Sequence, residues 1–364
     1  MLIRISVVCV FVLLWSVNIY AGFYTQPGIN GYVGDDRQHA GPNDPDAIVN
    51  PIFKGWATGF ENYLPAPGVD TGWKTPEETL GPATADIGDV ASLGDLDLNQ
   101  IDQGIEPGEI TLTFGLSAEP GDEPIRDVNG LDFVVFENAL FLSYDVQHGL
   151  ASGDIFAELG YVEVSTDGDP NRFARFINVS LTPQLVWAYG TIDMSDVYNL
   201  AGKHPNGYNI CTGTGFDLSE LTDHWLVVNG SVDLEDIKYV RIVDIPGSGE
   251  SYDDPYSLID PNTLSNYHSQ HPIYDPWETV GSGGFDLDAI GVLREQNKPA
   301  DINLDGVVDM GDLHIFLPAW LSQIGEENWN QRCNLAEPKD DVINIHDFAV
   351  LASQWLNREV WVNP

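Results

Sequence analysis

Basic side chains are scarce in this chain of 364 residues: 15 Lys and Arg stand against 56 Asp and Glu, a formal net charge of −41. A field of that sign repels nucleic acid and anionic lipid and gathers cations, which excludes DNA- and RNA-binding functions. Cysteine is nearly absent, with 3 in all. Cys9 falls in an N-terminal leader, which leaves Cys211 and Cys333 either as one pair or as two free thiols. A disulfide framework is excluded. After residue 21 no apolar run reaches membrane length. Catalytic signatures are missing as well. No G-x-S-x-G elbow occurs, and "HSQH" (268–271) lacks the glutamate and helical setting of a metallohydrolase. "GSGES" (247–251) has no identifiable His partner. A carboxylate pair for glycoside hydrolysis is defined by a separation in space that chain spacing does not give. No residue is assigned a catalytic role.

What is present begins with a leader. Arg4, the apolar run Ile5 to Val17, and Ile19-Tyr20-Ala21 before Gly22 read as a secretory signal over residues 1–21. The mature chain is expected outside the cell and soluble. The 36 Gly, 23 Pro and the aromatics (10 Trp, 14 Tyr, 15 Phe) favour a turn-rich β-protein over a helical bundle.

From Gly22 to Glu295 short apolar runs alternate with Gly, Pro, Asn and Asp. "EITLTFG" (109–115), "LDFVVFEN" (131–138), "YVEVSTDG" (161–168), "RFARFINV" (172–179), "WLVVNG" (225–230), "YVRIVDIPG" (239–247) and "GFDLDAIGVL" (284–293) read as strands. Asp167-Gly168 is a hairpin signal. Asp217 to Thr222 suits a single helical turn, and residues 22–80 read as mostly loop. Several strands are apolar on both faces, which predicts covered sheets. The fold class is mainly β, a large β-sandwich or jelly roll over 22–295 with its core at about 80–293. The polar segment "REQNKPA" (294–300) is read as a linker, followed by a small all-α module at 301–356 and a tail at 357–364.

Beyond the linker a repeat appears. "DLHIFLPAWL" (312–321) and "DFAVLASQWL" (347–356) align at an offset of 35 residues. Leu313, Phe316 and Trp320 match Phe348, Leu351 and Trp355, the i, i+3, i+7 stripe of an amphipathic helix. Pro318 is expected to kink the first helix. An acidic segment precedes each helix. In "DINLDGVVDMGD" (301–312) oxygen-bearing residues fall at positions 1, 3, 5, 9 and 12 around a glycine at position 6. Calcium takes six to eight oxygens, and a twelve-residue loop supplies them at that spacing. Asp301, Asn303, Asp305, the carbonyl of Val307, Asp309 and Asp312 are the expected ligands, with Gly306 at the sharp turn. Zinc would call for His or Cys, and magnesium for a tighter octahedron.

A calcium loop followed by a helix, twice in tandem, resembles the type I dockerin family, over residues 300–356. The resemblance implies a calcium-folded module that docks onto a cohesin domain of a scaffold or cell-surface protein. It implies a second site from Asn334, Asp340, the carbonyl of Val342, Asn344 and Asp347. That half departs from the pattern: two extra residues bulge between Asn334 and Asp340, and Asp341 replaces the turn glycine. The partner-reading positions fall at Met310-Gly311 and Ile345-His346. The two faces differ, which puts dual-mode binding in doubt.

"GLDFVVFEN" (130–138), "AGKHPNGYNICTGTGFDL" (201–218), "YVRIVDIPG" (239–247) and "SGGFDLDAIGVL" (282–293) together resemble a family of secreted bacterial cell-surface proteins. The resemblance implies a galactose-binding-like β-sandwich and a surface location, not a reaction. Asp286 and Asp288 alternate with Phe285 and Leu287, and with Asp132 and Glu137 they are candidates for a second, structural calcium site. Trp56, Trp73, Trp187 and Trp277 are candidate sugar platforms. The leading expectation is a non-catalytic, calcium-binding cargo, carbohydrate-binding or not, carried by a dockerin to a cohesin-bearing complex. The alternatives are a dockerin-borne glycoside hydrolase or polysaccharide lyase, and a structural cell-surface component.

Overall fold

The computed structural model describes residues 24–34, 39–117, 122–143, 145–147, 150–254, 270–279, 283–323, 326 and 328–359. The leader, the tail beyond Glu359 and His268 lie outside them. The chain is mainly β, built around two antiparallel sheets. The first has six strands, in the order Ile29–Asn30, Thr212–Phe216, Phe133–Glu137, Asp286–Leu293, Phe53–Trp56, with Ala91–Ser92 also pairing onto Asp286–Leu293. The second has five, in the order Ala174–Arg175, Gly160–Ser165, Tyr239–Asp244, Glu109–Thr113, Gly59–Leu64.

The two sheets share one core. Phe133, Val135, Phe216, Leu287, Ile290 and Val292 of the first face Ile110, Leu112, Val162, Val164, Val240 and Ile242 of the second. Each such side chain contributes about 1.5–3 kcal/mol by leaving water. The opposite face of the first sheet is covered too: Val134, Phe136, Ala289 and Leu293 pack with Ile52, Phe53, Ala83 and Cys211. Phe133–Glu137 and Asp286–Leu293 are therefore buried at every position, which is why apolar residues fall on both faces of each. The second sheet alternates buried and half-buried residues along Tyr239–Asp244. Its outer face is closed by a buried Glu163 gripped by Arg175 at 2.7 Å and Arg241 at 2.5 Å, whose guanidinium groups lie 4.1 Å over the rings of Tyr161 and Phe173.

Four local expectations change. "WLVVNG" is not a strand: Trp225–Val228 is a short helix, because His224 caps it by accepting the Leu226 N–H and Asn229-Gly230 turns the chain back. Tertiary packing of Leu226, Trp225 and Val227 on the core overrides the β-propensity of that run. "RFARFINV" is broken into Ala174–Arg175 and Val179–Ser180, in different sheets. Gly168 does turn at φ 71°, but in a longer connection between Gly160–Ser165 and Ala174–Arg175 rather than a two-residue hairpin. Residues 22–80 supply strands to both sheets.

The segment 294–300 is hydrogen-bonded along its length. Arg294 donates its N–H to the Ile52 carbonyl, Gln296 to that of Asn129, and Lys298 to the Glu359 carboxylate. After it come the helices Met310–Ala319 and Ile345–Gln354. Pro318 sits in the last turn of the first, one residue before its end. A separate core of Ile302, Val308, Phe316, Cys333, Ile343 and Leu351 joins them, with Trp320 and Trp355 packed against it. Leu304 reaches from the first acidic loop onto the core behind the first sheet. Cys211 and Cys333 are buried free thiols in different cores, and burial raises both.

Candidate functional site

The loop 301–312 is wound around its own carboxylates. Asp301 accepts the N–H groups of Asp305 (3.1 Å) and Gly306 (2.8 Å), and Asp305 accepts that of Val307 (2.9 Å). Gly306, at φ 88°, supplies the turn that a side chain would strain. Asp312 accepts three N–H groups, from Ile302 (2.6 Å), Asn303 (3.2 Å) and Asp309 (2.7 Å). Asn303 donates to the second oxygen of Asp305 at 3.2 Å. Asp309 is the N-cap of the first helix, accepting from Gly311 at 2.7 Å, and Asp312 closes the capping box. Val307 forms a single antiparallel bridge to Arg358.

Asp301 and Asp312 are 2% and 0% exposed. Burial, reinforced by the charges of Asp312 and Asp305, pushes Asp301 up to about 8, and burial pushes Asp312 up to about 6. An all-oxygen donor set with two buried and two half-buried carboxylates suits a hard divalent cation, and calcium fits it best. The loop meets that chemical test.

The second loop repeats the same wiring. Asp347 accepts from Leu335 (2.7 Å), Ala336 (2.9 Å) and Asn344 (2.7 Å), the counterparts of the three donors to Asp312. Asn344 caps the second helix through His346 N–H, and Asp340 accepts from Val342 N–H, as Asp305 does from Val307. The two extra residues therefore lie between Ala336 and Asp340. Two features set this loop apart. The Lys339 ammonium donates to the carbonyl of Asn334, and the Asn344 amide occupies the carbonyl of Val342 at 3.0 Å. The buried Asn334 side-chain oxygen has no protein partner. A resident ammonium thus sits beside the second loop, also 3.7 Å from Glu337, where the first loop has no basic side chain.

Met310 and Ile345, the first residues of their helices, are 64% and 60% exposed, and His346 is exposed beside Ile345. Gly311 is half-buried against Asn303. Leu317, Leu321 and Leu356 add further exposed apolar surface at and just beyond the two helices.

The four carboxylates read as a second calcium set part company. Asp132 accepts from Val128 (2.8 Å) and Leu218 (2.6 Å) and lies with Asp127 and Asp217, all three oxygens within 4.8 Å of one another. Asp127 and Asp217 line a cleft of about 490 Å³ with Asn129 and Glu295. Burial pushes Asp132 up to about 8. Asp288 binds the backbone of Thr84 and Ala85 and the Asn206 amide (2.7 Å), pinning a loop. Glu137 and Asp286 lie together in a third place, among other buried carboxylates. A β-bulge between Leu287 and Ala289 separates Asp286 from Asp288, which strict alternation would leave on one face. Sequence spacing carried no signal for Asp127 and Asp217, which are 90 residues apart.

Of the candidate sugar platforms, Trp187 stands in solvent, 67% exposed, with Tyr189 (71% exposed) edge-on at 5.8 Å. Both line a cleft of about 470 Å³ with Leu142, Leu185 and Asp193. Trp56 stacks on Phe53 at 4.6 Å, Trp277 donates to the Leu96 carbonyl, and Trp73 is half-buried in a short 3-10 turn. Among the described residues no helix is long and apolar enough to cross a membrane. Comparison with protein-family models, curated proteins and solved structures finds no match.

Proposed function

We propose that this is an exported calcium-binding protein in which residues 301–356 act as a type I dockerin. That module delivers a galactose-binding-like β-sandwich cargo to a cohesin-bearing extracellular complex at the cell surface. The observation that carries the reading is the duplicated wiring: Asp312 and Asp347 each close a loop through the same three backbone donors, and each loop opens a helix with an exposed apolar first residue. Calcium in the first loop neutralises Asp301, Asp305 and Asp312, and so sets the helix that presents Met310. The cargo holds polysaccharide on Trp187 and Tyr189 without turning it over; their exposed, crossed rings in a cleft support this half of the reading.

The test uses the full mature chain on a panel of immobilised cohesin domains, with calcium and with chelator. Capture by at least one cohesin in calcium, lost in chelator and lost in Met310→Asp/Ile345→Asp with calcium content unchanged, is expected. Capture by none, or capture indifferent to calcium, overturns the docking reading. Depletion by insoluble polysaccharides tests the cargo in parallel, and release of reducing ends would reassign it as a hydrolase or lyase.

A further inference from the structure

Where the strand Asp286–Leu293 begins, the fold gathers six carboxylates from six separate segments: Asp95, Glu137, Glu158, Asp244, Asp275 and Asp286. Five of them are at most 7% exposed. Backbone N–H groups hold one oxygen on each of four of them. Phe285 N–H donates to Asp244 at 2.8 Å, Gly284 N–H to Glu158 at 2.9 Å, Leu159 N–H to Asp275 at 2.8 Å and Thr279 N–H to Asp95 at 3.0 Å. The Thr279 hydroxyl lies between Asp95 (3.1 Å) and Glu158 (2.8 Å). Glu137 pairs in register with Leu287, beside Asp286.

What these bonds leave over is the telling part. One oxygen each of Asp95, Glu137, Asp244 and Asp286 is buried with no protein partner. Among the described residues no Lys or Arg forms an ion pair with any of the six. They act instead on one another: Asp286 on Glu137 and Glu158, Asp95 on Asp244 and Asp275, each raised above the usual carboxylate range first by burial and then by its neighbours. Glycine keeps the lining thin. A Cβ at Gly247 would stand 1.9 Å from an Asp275 oxygen, one at Gly202 2.3 Å from the Glu158 carbonyl and 3.4 Å from the orphaned oxygen of Glu137.

Burying several carboxylates without a counter-charge is prohibitive, so protons or a cation must complete the cluster. We propose that it is a calcium site inside the β domain, independent of the 301–312 loop and of the docking reading. The donors are all oxygens, which disfavours zinc. Among the described residues only Asp127, Asp132 and Asp217 bring three acidic oxygens within 4.8 Å of one another, and both oxygens of Asp132 already accept backbone N–H groups. Among the six no such trio occurs, so the proposed site requires the four unpartnered oxygens to rotate onto the ion. Glu137 and Asp286 belong to the first sheet, and Asp244 ends a strand of the second. The ion therefore ties the two layers together at one edge of their shared core.

The test is made in the full chain carrying Asp301→Asn/Asp312→Asn, which silences the first loop, with calcium as the only added ligand. Bound calcium is counted after equilibrium dialysis, and melting of the β domain is followed with calcium and with chelator. Adding Glu137→Gln/Asp286→Asn should remove one equivalent of calcium per chain and abolish a calcium-dependent rise in Tm of roughly 5 °C or more. In chelator the amide variant should melt at or above its parent, because neutral amides replace repelling carboxylates; this arm guards against simple misfolding. Glu158→Gln provides a milder second variant with the same expected direction. An unchanged calcium count, or a β domain whose melting ignores calcium, overturns the site and leaves protons as the only neutralising charge.

Discussion

Leu321 and Leu356, at equivalent positions of the two halves, leave their helices in the same left-handed conformation, with φ of 65° and 62°. Each then donates its N–H across to the other half's loop at 2.8 Å, Leu321 to Ile343 and Leu356 to Val308. Ile343 and Val308 answer with N–H bonds of 3.0 Å to Ser322 and Asn357. The exit of each helix is thus paired with the acidic loop of its twin, and neither half is complete alone.

It follows that a lesion in one loop unravels both. Asp312→Ala orphans three N–H groups, those of Ile302, Asn303 and Asp309, and also removes a calcium ligand. A loss of about 3 kcal/mol or more is expected. Amide hydrogen exchange should show protection falling together over 300–323 and 328–359, and chelator should produce the same pattern in the wild type. Loss confined to the first half would contradict the interlock.

Lys339 gives the second loop a resident positive charge at the Asn334 carbonyl. Its positive charge, 3.7 Å from Glu337, repels any cation that the loop takes up. Lys339→Gln should raise the affinity of that loop about tenfold, with the first loop unaffected. Titration calorimetry on the full chain, with and without Lys339→Gln, reads the second loop as its own calcium step. An affinity unmoved by the substitution would mean that the ammonium is not in the way.

His204 is 4% exposed, and its ring nitrogens meet the Thr214 hydroxyl and the Gln26 carbonyl, each at 3.0 Å. A carbonyl can only accept, so Nε2 carries the hydrogen and Nδ1 accepts from Thr214. Burial, with Lys203 adjacent, pushes the ring down to about 3. The folded state refuses a proton that the unfolded state takes up near 6.5, so this contribution is present above pH 6.5 and is lost as pH falls toward 3. His204→Gln should flatten the stability–pH curve between pH 6 and 4 by one proton, about 1.4 kcal/mol per pH unit. Parallel curves for wild type and variant would refute the buried neutral ring.

Trp187 and Tyr189 project from a short strand and its turn and make little of the core. Trp187→Ala/Tyr189→Ala should abolish retention on whichever polysaccharide depletes the wild type, while shifting stability by about 0.5 kcal/mol or less. Retention that survives the double substitution would move the sugar platform elsewhere.

Local pattern carried much of this architecture. The helices expected at 312–321 and 347–356 are there, beginning two residues earlier at Met310 and Ile345, and the strands holding Phe133–Glu137 and Asp286–Leu293 follow from residue spacing, because the bonds and faces involved join residues close in sequence. The helix at Trp225–Val228 was hidden because its apolar, β-branched composition matches a strand until His224 caps it. The division of Asp132, Glu137, Asp286 and Asp288 among three places was hidden because one bulge changes which face a carboxylate takes.

By itself the sequence determined the acidic character, the repeat of 35 residues and the oxygen spacing of the 301–312 loop, all properties of neighbouring residues along one chain. Only the tertiary structure decided that Asp95, Glu137, Glu158, Asp244, Asp275 and Asp286 come together where Asp286–Leu293 begins, that the Lys339 ammonium meets the Asn334 carbonyl, and that each helix exit closes the opposite half. Those relations are set by how two sheets and two half-modules pack, and a charge brought near another by packing leaves no periodic trace in the order of residues.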